Sequence, residues 1–212
     1  KKDCWQSCLK SNKSMKIGID LDNTIICYDF VFAYVAQLLG YECDGALTKN
    51  SIKAWFESKG MDAKFTEIQG LVYGKYIKHA DLFRGVKTCF ETWHAHNHEL
   101  FIVSHKTKHP IIGEKIDLRW AATNYLVDTG IVKQGSIPVE NVFFEDTASL
   151  KLLQISNLRC DVFIDDLPSI LNDKEFPLLT RKILFDPKQK FKEDLSLDTA
   201  RDWSKIAKFI KN

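Results

Sequence analysis

The stretch Lys16-Ile17-Gly18-Ile19-Asp20-Leu21-Asp22-Asn23-Thr24 is a short β-rich run that stops in two carboxylates. Side chains two apart on an extended segment project to the same side, so Asp20 and Asp22 can face one ligand. Four more runs share this character: Leu100 to Ser104, Val142 to Phe144, Asp161 to Asp165 and Lys182 to Phe185. Between the runs lie apolar residues at helical spacing: Val86, Cys89, Phe90 and Trp93; Trp120, Ala121, Tyr125 and Leu126; Leu150, Leu153 and Leu158. A last such set is Leu197, Ala200, Trp203, Ile206, Ala207 and Ile210. Strands alternating with helices predict an α/β fold, a doubly wound, Rossmann-like parallel sheet of about five strands covered on both faces. In such a sheet ligands bind outside the carboxyl ends of the strands. Those ends are polar here: Asp20 to Thr24, Ser104, and the pair Asp165-Asp166.

Working outward, the chain takes about 75 residues to pass from the first run to the second, far more than one crossover helix needs. The intervening pattern is helical. Val31, Tyr34, Val35 and Leu38 keep one face and stop at Gly40; Ser51 is a candidate cap for Ile52 to Ser58; Phe65, Ile68, Val72 and Tyr76 follow. The expected organisation is therefore a core of residues 15–28 and 83–212, an inserted all-helical lobe at 29–82, and an extension at 1–14 preceding a natural start at Met15. Trp55, Phe56, Tyr73 and Tyr76 are expected to form that lobe's core, with stacking on a base or sugar ring as the alternative.

Composition narrows the function. With 212 residues, 45% of them apolar, the chain can bury a full core, and no apolar run approaches the roughly 18–20 residues of a membrane span. The net charge of +2 is unevenly spread: five lysines against Asp3 in residues 1–16, and one arginine and three lysines against Asp202 in residues 201–212. The segment between them is acidic, which argues against a groove for a nucleic-acid polymer. The six cysteines form no CxxC pair, and residues 1–14 lack the apolar core of a secretory signal, so free thiols in a reducing cytoplasm are expected. Neither GxxxxGK[ST] nor GxGxxG occurs, which excludes the common nucleotide-dependent kinase and dehydrogenase folds. His94, His96 and His98 sit between a helix and a strand and are expected to be solvated loop residues rather than a metal site.

Asp20, Asp22, Asp165 and Asp166 concentrate negative charge at neighbouring strand ends and call for a counter-charge, for which a hard divalent cation such as Mg2+ is suited. Taken in order, the motifs resemble those of the haloacid dehalogenase superfamily. Its first motif, DxDx[TV], is met by Asp20-Leu21-Asp22-Asn23-Thr24, with Asn23 in place of a commoner Gly. The second, a hydrophobic strand ending in Ser or Thr, is similar to Phe101 to Ser104; the fourth, a strand ending in paired acids, to Val162 to Asp166. The third is a lysine ahead of the fourth, for which Lys151 fits best, with Lys106, Lys108 and Lys115 as alternatives.

The resemblance covers Lys16 to about Phe185 and implies that the helical insert is a first-type cap. It implies a magnesium-dependent phosphatase acting on a small phosphate ester, with Asp20 as nucleophile, Asp22 as acid/base, and Ser104 and Lys151 binding the phosphoryl group. Asp165, Asp166, the Asp20 side chain and the Asp22 backbone carbonyl would hold Mg2+. The run Cys160 to Asp166 and the position of Lys151 are similar to the 5′(3′)-deoxyribonucleotidase-like group, which implies a nucleotide as the expected substrate, with a sugar phosphate as the alternative. Transfer to an acceptor other than water, or phosphate binding without turnover, are the alternatives. Oligomeric state is left open.

Overall fold

The computed structural model describes residues 14–45, 47–133, 136–191 and 197–210. The expected extension before Ser14, with Cys4 and Cys8, lies outside them. In chain order the strands are β1 (Lys16–Ile19), β2 (Ile26–Cys27), β3 (Asp81–Leu82), β4 (Glu99–His105), β5 (Val142–Glu145), β6 (Val162–Asp165), β7 (Arg181–Phe185) and β8 (Asp198–Ala200). The helices are α1 (Asp29–Leu38), α2 (Lys49–Ser58), α3 (Asp62–Tyr73), α4 (Val86–Ala95), α5 (Leu118–Asp128), α6 (Ala148–Leu158), α7 (Pro168–Leu171) and α8 (Trp203–Phe209).

Six strands form one sheet in the order β5-β4-β1-β6-β7-β8, every pairing parallel. Strand β1 lies inside it, with Ile19 opposite Ile102 of β4 and Ile164 of β6. Burial on both faces explains the continuous apolar runs: Ile17, Ile19, Ile102, Val103, Phe163 and Ile164 are fully enclosed. Gly18 is required where β1 passes β6, because a Cβ there would lie 2.5 Å from the Phe163 ring. The chain leaves β1 for β4 and β5 on one side and returns to β6 on the other, so the strand order reverses at β1 and opens a crevice at the carboxyl ends.

The sheet holds one strand more than the sequence pattern predicts. Leu197 to Ile210, read as one helical stretch, divides into β8, paired to β7, and α8, which starts after Asp202. The Asp202 side chain accepts from the Lys205 amide at 2.8 Å and so sets the helix start. Trp203 follows, fully buried against Phe90, Trp93 and Phe185 at 5.5–6.1 Å between ring centroids. Its Nε1 donates to the Thr24 carbonyl at 3.2 Å, tying α8 to the loop that follows β1. Truncating a tryptophan so placed costs about 3–5 kcal/mol.

Helices α1, α2 and α3 follow the first strand, and at the stems of this region β2 and β3 form an antiparallel ribbon pairing Ile26 with Leu82 and Cys27 with Asp81. Helix α2 begins earlier than the sequence suggests: Thr48 is its cap, accepting from the Ser51 amide at 3.2 Å, and Ser51 completes the capping box by accepting from the Thr48 amide at 3.0 Å. Phe32, Phe56 and Phe65 pack as the core of α1–α3. Helix α3 approaches the loop after β4 so closely that a Cβ on Gly70 would lie 2.7 Å from the Pro110 Cβ. Among the described residues no helix is long and apolar enough to cross a membrane, and Cys27, Cys43, Cys89 and Cys160 are free thiols.

Candidate active site

The loop after β1 is a hook anchored in the core. Asp20 donates its amide to the Ile164 carbonyl at 2.8 Å, and the amides of Ile25 and Ile26 both reach the Leu21 carbonyl, at 3.0 and 3.1 Å. Leu21, Thr24, Ile25 and Ile26 are fully buried, while Asp22 and Asn23 between them line the crevice. Asn23 sits at φ 63°, in the left-handed region, which Asn tolerates better than most residues. Asn at this position therefore accommodates the turn.

Around this hook the structure gathers Asp20, Asp165 and Asp166, each with one carboxylate oxygen within 4.8 Å of the other two. Lys151, on the first turn of α6, inserts between two of them: its Nζ lies 2.6 Å from Asp20 Oδ1 and 2.6 Å from Asp165 Oδ2. All three groups are buried. The other oxygen of Asp165 accepts from the Leu167 amide at 2.9 Å. Burial opposes the Lys151 ammonium, but Asp165 and Asp20 outweigh it and its pKa is raised. One lysine does not balance three acids. Burial, with repulsion from Asp165 and Asp22 and against the pull of Lys151, pushes Asp20 up to about 7; burial, Asp20 and Asp165 push Asp166 to about 8. An all-oxygen donor set with unbalanced negative charge fits a hard divalent cation, which would reverse those shifts.

Asp22 stands apart from this cluster. Its Oδ1 accepts from the Tyr28 hydroxyl at 2.7 Å and its Oδ2 from Lys106 Nζ at 2.7 Å. Tyr28 is fully buried, and burial followed by the Asp22 charge drives its pKa well above the usual value, so it remains a donor. Lys106, one of the alternatives for the third-motif lysine, is buried. Its amide donates to the Glu145 carbonyl at 2.9 Å, its carbonyl accepts from Arg119 Nε at 2.9 Å, and its ammonium lies 4.6 Å from the Tyr73 ring centroid. Ser104, near the end of β4, is buried and lines the same cavity.

That cavity has a volume of about 550 Å3, with Asp20, Ser104, Lys151 and Asp166 on the sheet side and Lys49 and Tyr73 on the side of the helical insert. Sequence reading missed Lys49 as a cavity residue and offered Lys106 only as an alternative to Lys151. A basic residue directly after the Ser104-His105 strand end is the one signal pointing to Lys106; Lys49 has none beyond its place at a helix start. Tyr73, expected in the lobe core, divides its surface between that core and the cavity. Of the histidines expected in a solvated loop, His94 is exposed on the last turn of α4, His96 is half-buried, and His98 is buried with its Nδ1 accepting from the Met15 amide at 3.1 Å. None of them joins the acidic cluster.

No family model matches the sequence, and no curated protein does. Solved structures do resemble the fold. A haloacid dehalogenase-like hydrolase from Streptococcus pneumoniae superposes with a TM-score of 0.62 at 15% identity, over 93% of this chain and 99% of that one. A HAD-hydrolase from Bacillus subtilis, bound to magnesium, gives 0.58 at 12% identity, over 93% and 99%. A phosphoserine phosphohydrolase-like protein from Francisella tularensis gives 0.53 at 14% identity, over 93% and 100%. The chain thus has the haloacid dehalogenase-like fold: a six-stranded parallel α/β sheet with a helical region, α1–α3, following its first strand.

Proposed function

We propose that the protein is a magnesium-dependent phosphatase that hydrolyses a small phosphorylated metabolite through an aspartyl-phosphate on Asp20. The observation that carries this reading is the division of labour among the carboxylates. Asp20, Asp165 and Asp166 share one buried cluster with Lys151, while Asp22 is held separately by Tyr28 and Lys106. Asp20, Asp165 and Asp166, with the Asp22 backbone carbonyl, would hold Mg2+, which when bound offsets the negative charge that an incoming phosphate meets.

Asp20 supplies the nucleophilic oxygen: an Oδ–P bond forms as the P–O bond to the leaving group breaks. Asp22, two residues on and outside the cluster, gives a proton to the departing alkoxide. It then takes one from the water that cleaves the acyl phosphate. Ser104 and Lys151 orient and neutralise the transferring phosphoryl oxygens.

Residues 29–82 act as a cap over the core formed by 15–28 and 83–212, excluding bulk water and large substrates. A cavity of about 550 Å3 suits a nucleotide or a sugar phosphate. The free thiols fit work in the cytoplasm. The test is hydrolysis of p-nitrophenyl phosphate and of panels of nucleoside monophosphates and sugar phosphates with Mg2+. Activity should fall by about a thousandfold or more in a folded Asp20→Asn variant. A well-folded wild type inactive on every phosphoester defeats the reading.

A further inference from the structure

We propose that Lys49 and Lys190 form a subsite for a second anionic group on the substrate, so that preferred substrates are phosphate monoesters carrying a further carboxylate or phosphate. This rests on the phosphatase reading and specifies its substrate class.

Five lysines line the cavity: Lys49, Lys106, Lys151, Lys188 and Lys190. Three are committed to carboxylates, Lys151 to Asp20 and Asp165, Lys106 to Asp22, and Lys188 to Asp29. Lys49 and Lys190 make no ion pair among the described residues. They come from different parts of the chain, Lys49 from the first turn of α2 and Lys190 from the loop after β7, yet one carboxylate links their segments. Asp29 Oδ1 accepts from the Lys49 amide at 2.9 Å while Oδ2 pairs with Lys188. The loop is fixed in turn by Asp186, a buried carboxylate that accepts from the amides of Lys190 and Phe191 at 3.0 and 3.1 Å. The two segments are thereby tied together beside the cavity, with Lys49 half-buried and Lys190 exposed.

The Lys49 ammonium lies 5.6 Å from the Tyr73 ring centroid and 5.8 Å from that of Phe32. Burial works to lower its pKa, but the Tyr73 phenol and the charges of Asp22 and Asp166 prevail, so the group stays cationic. Asp22 is already spent on Lys106, and a metal on Asp166 would consume the other charge. Lys49 then faces the cavity as a partly desolvated cation whose donors touch no carboxylate. A desolvated charge in that state is costly until an anion reaches it, and charge-assisted hydrogen bonds to carboxylate or phosphate oxygens would supply one.

The test compares matched substrates with Mg2+: 3-phosphoglycerate against glycerol 3-phosphate for a carboxylate, and fructose 1,6-bisphosphate against fructose 6-phosphate for a phosphate. The wild type should favour the more anionic member of at least one pair by about tenfold or more in kcat/KM. Which pair responds identifies the anion. In Lys49→Met that ratio should collapse toward one, chiefly through KM, and Lys49→Arg should retain it. Ratios near one in the wild type, or a preference that survives Lys49→Met, overturn the proposal. Calorimetric binding of the same four compounds to wild type and Lys49→Met gives a second readout. If no phosphoester is hydrolysed, the phosphatase reading fails, and the binding ratios still decide whether the subsite exists.

Discussion

The carboxyl ends of β1, β4 and β6 and the helical region that faces them are built on different principles. At the strand ends, each polar residue directly follows or ends an apolar β run, and the parallel register brings Asp20, Ser104 and Asp165 to one crevice. On the facing wall, Lys49 and Tyr73 reach the cavity only because three helices pack around Phe32, Phe56 and Phe65 and because Gly70 lets α3 approach Pro110. One side is fixed by local sequence and pairing, the other by tertiary packing. The strand ends should therefore respond to substitution as a charge cluster, and the facing wall as a surface that selects.

Lys151→Met tests the cluster most severely. It leaves Asp20 and Asp165 buried without their cation, and breaking a buried pair in this way costs about 3–5 kcal/mol. Chemical denaturation in the absence of metal should show that loss, and saturating Mg2+ should recover part of it by occupying the vacated charge. A loss below about 1 kcal/mol, the range of an exposed pair, would mean that the lysine is not the keystone of the site.

Lys151 also shows how far sequence alone reaches. That Asp20, Ser104, Asp165 and Asp166 meet at one crevice is legible because polar residues ending the apolar strands of a parallel sheet collect at its carboxyl edge. Lys151 is half legible. The apolar residues of its helix suggested a buried face of Leu150, Leu153 and Leu158, yet Leu150 and Leu153 are largely exposed and the face actually buried carries Lys151, Leu152 and Ile155. The helix buries a different apolar pair, Leu152 and Ile155, on the face that carries the carboxylate-bound lysine. Strand β8 was hidden for a related reason, since Leu197 and Ala200 fit a helical period until pairing with β7 is known. The ribbon β2–β3 is two residues per strand, too short for periodicity to register.

A gentler perturbation of the same cluster is pH. Asp20 and Asp166 have folded-state pKa values near 7 and 8, above the ordinary value of 3.8. Between those limits the metal-free native state binds more protons than the unfolded chain, so its stability falls as pH rises through that window and levels off above about 8. The melting temperature without metal should be higher at pH 5 than at pH 8. Saturating Mg2+ should remove most of this slope, because a bound cation favours the ionised carboxylates. A metal-free protein whose stability rises over that interval would show that the cluster is not held in unrelieved repulsion.

The smallest expected effect falls at the boundary between the two regions, on Lys106. Its ammonium touches Asp22 from the core and the Tyr73 ring from the helical insert, so it belongs to both. Asp22 is less buried than Asp20 and keeps its hydrogen bond from Tyr28, so Lys106→Met leaves a better-solvated charge than Lys151→Met does. Its stability cost should be correspondingly smaller, about 1–3 kcal/mol. The kinetic consequence depends on the leaving group. An alkoxide needs a proton as it departs, whereas p-nitrophenolate, a far weaker base, departs without one. If Lys106 positions Asp22 for that transfer, Lys106→Met should slow hydrolysis of an alkyl phosphate about tenfold more than hydrolysis of p-nitrophenyl phosphate. Equal losses on both substrates would mean that Lys106 supports the fold or the phosphate rather than the acid. The boundary between the regions would then lie at Asp22 instead of Tyr73.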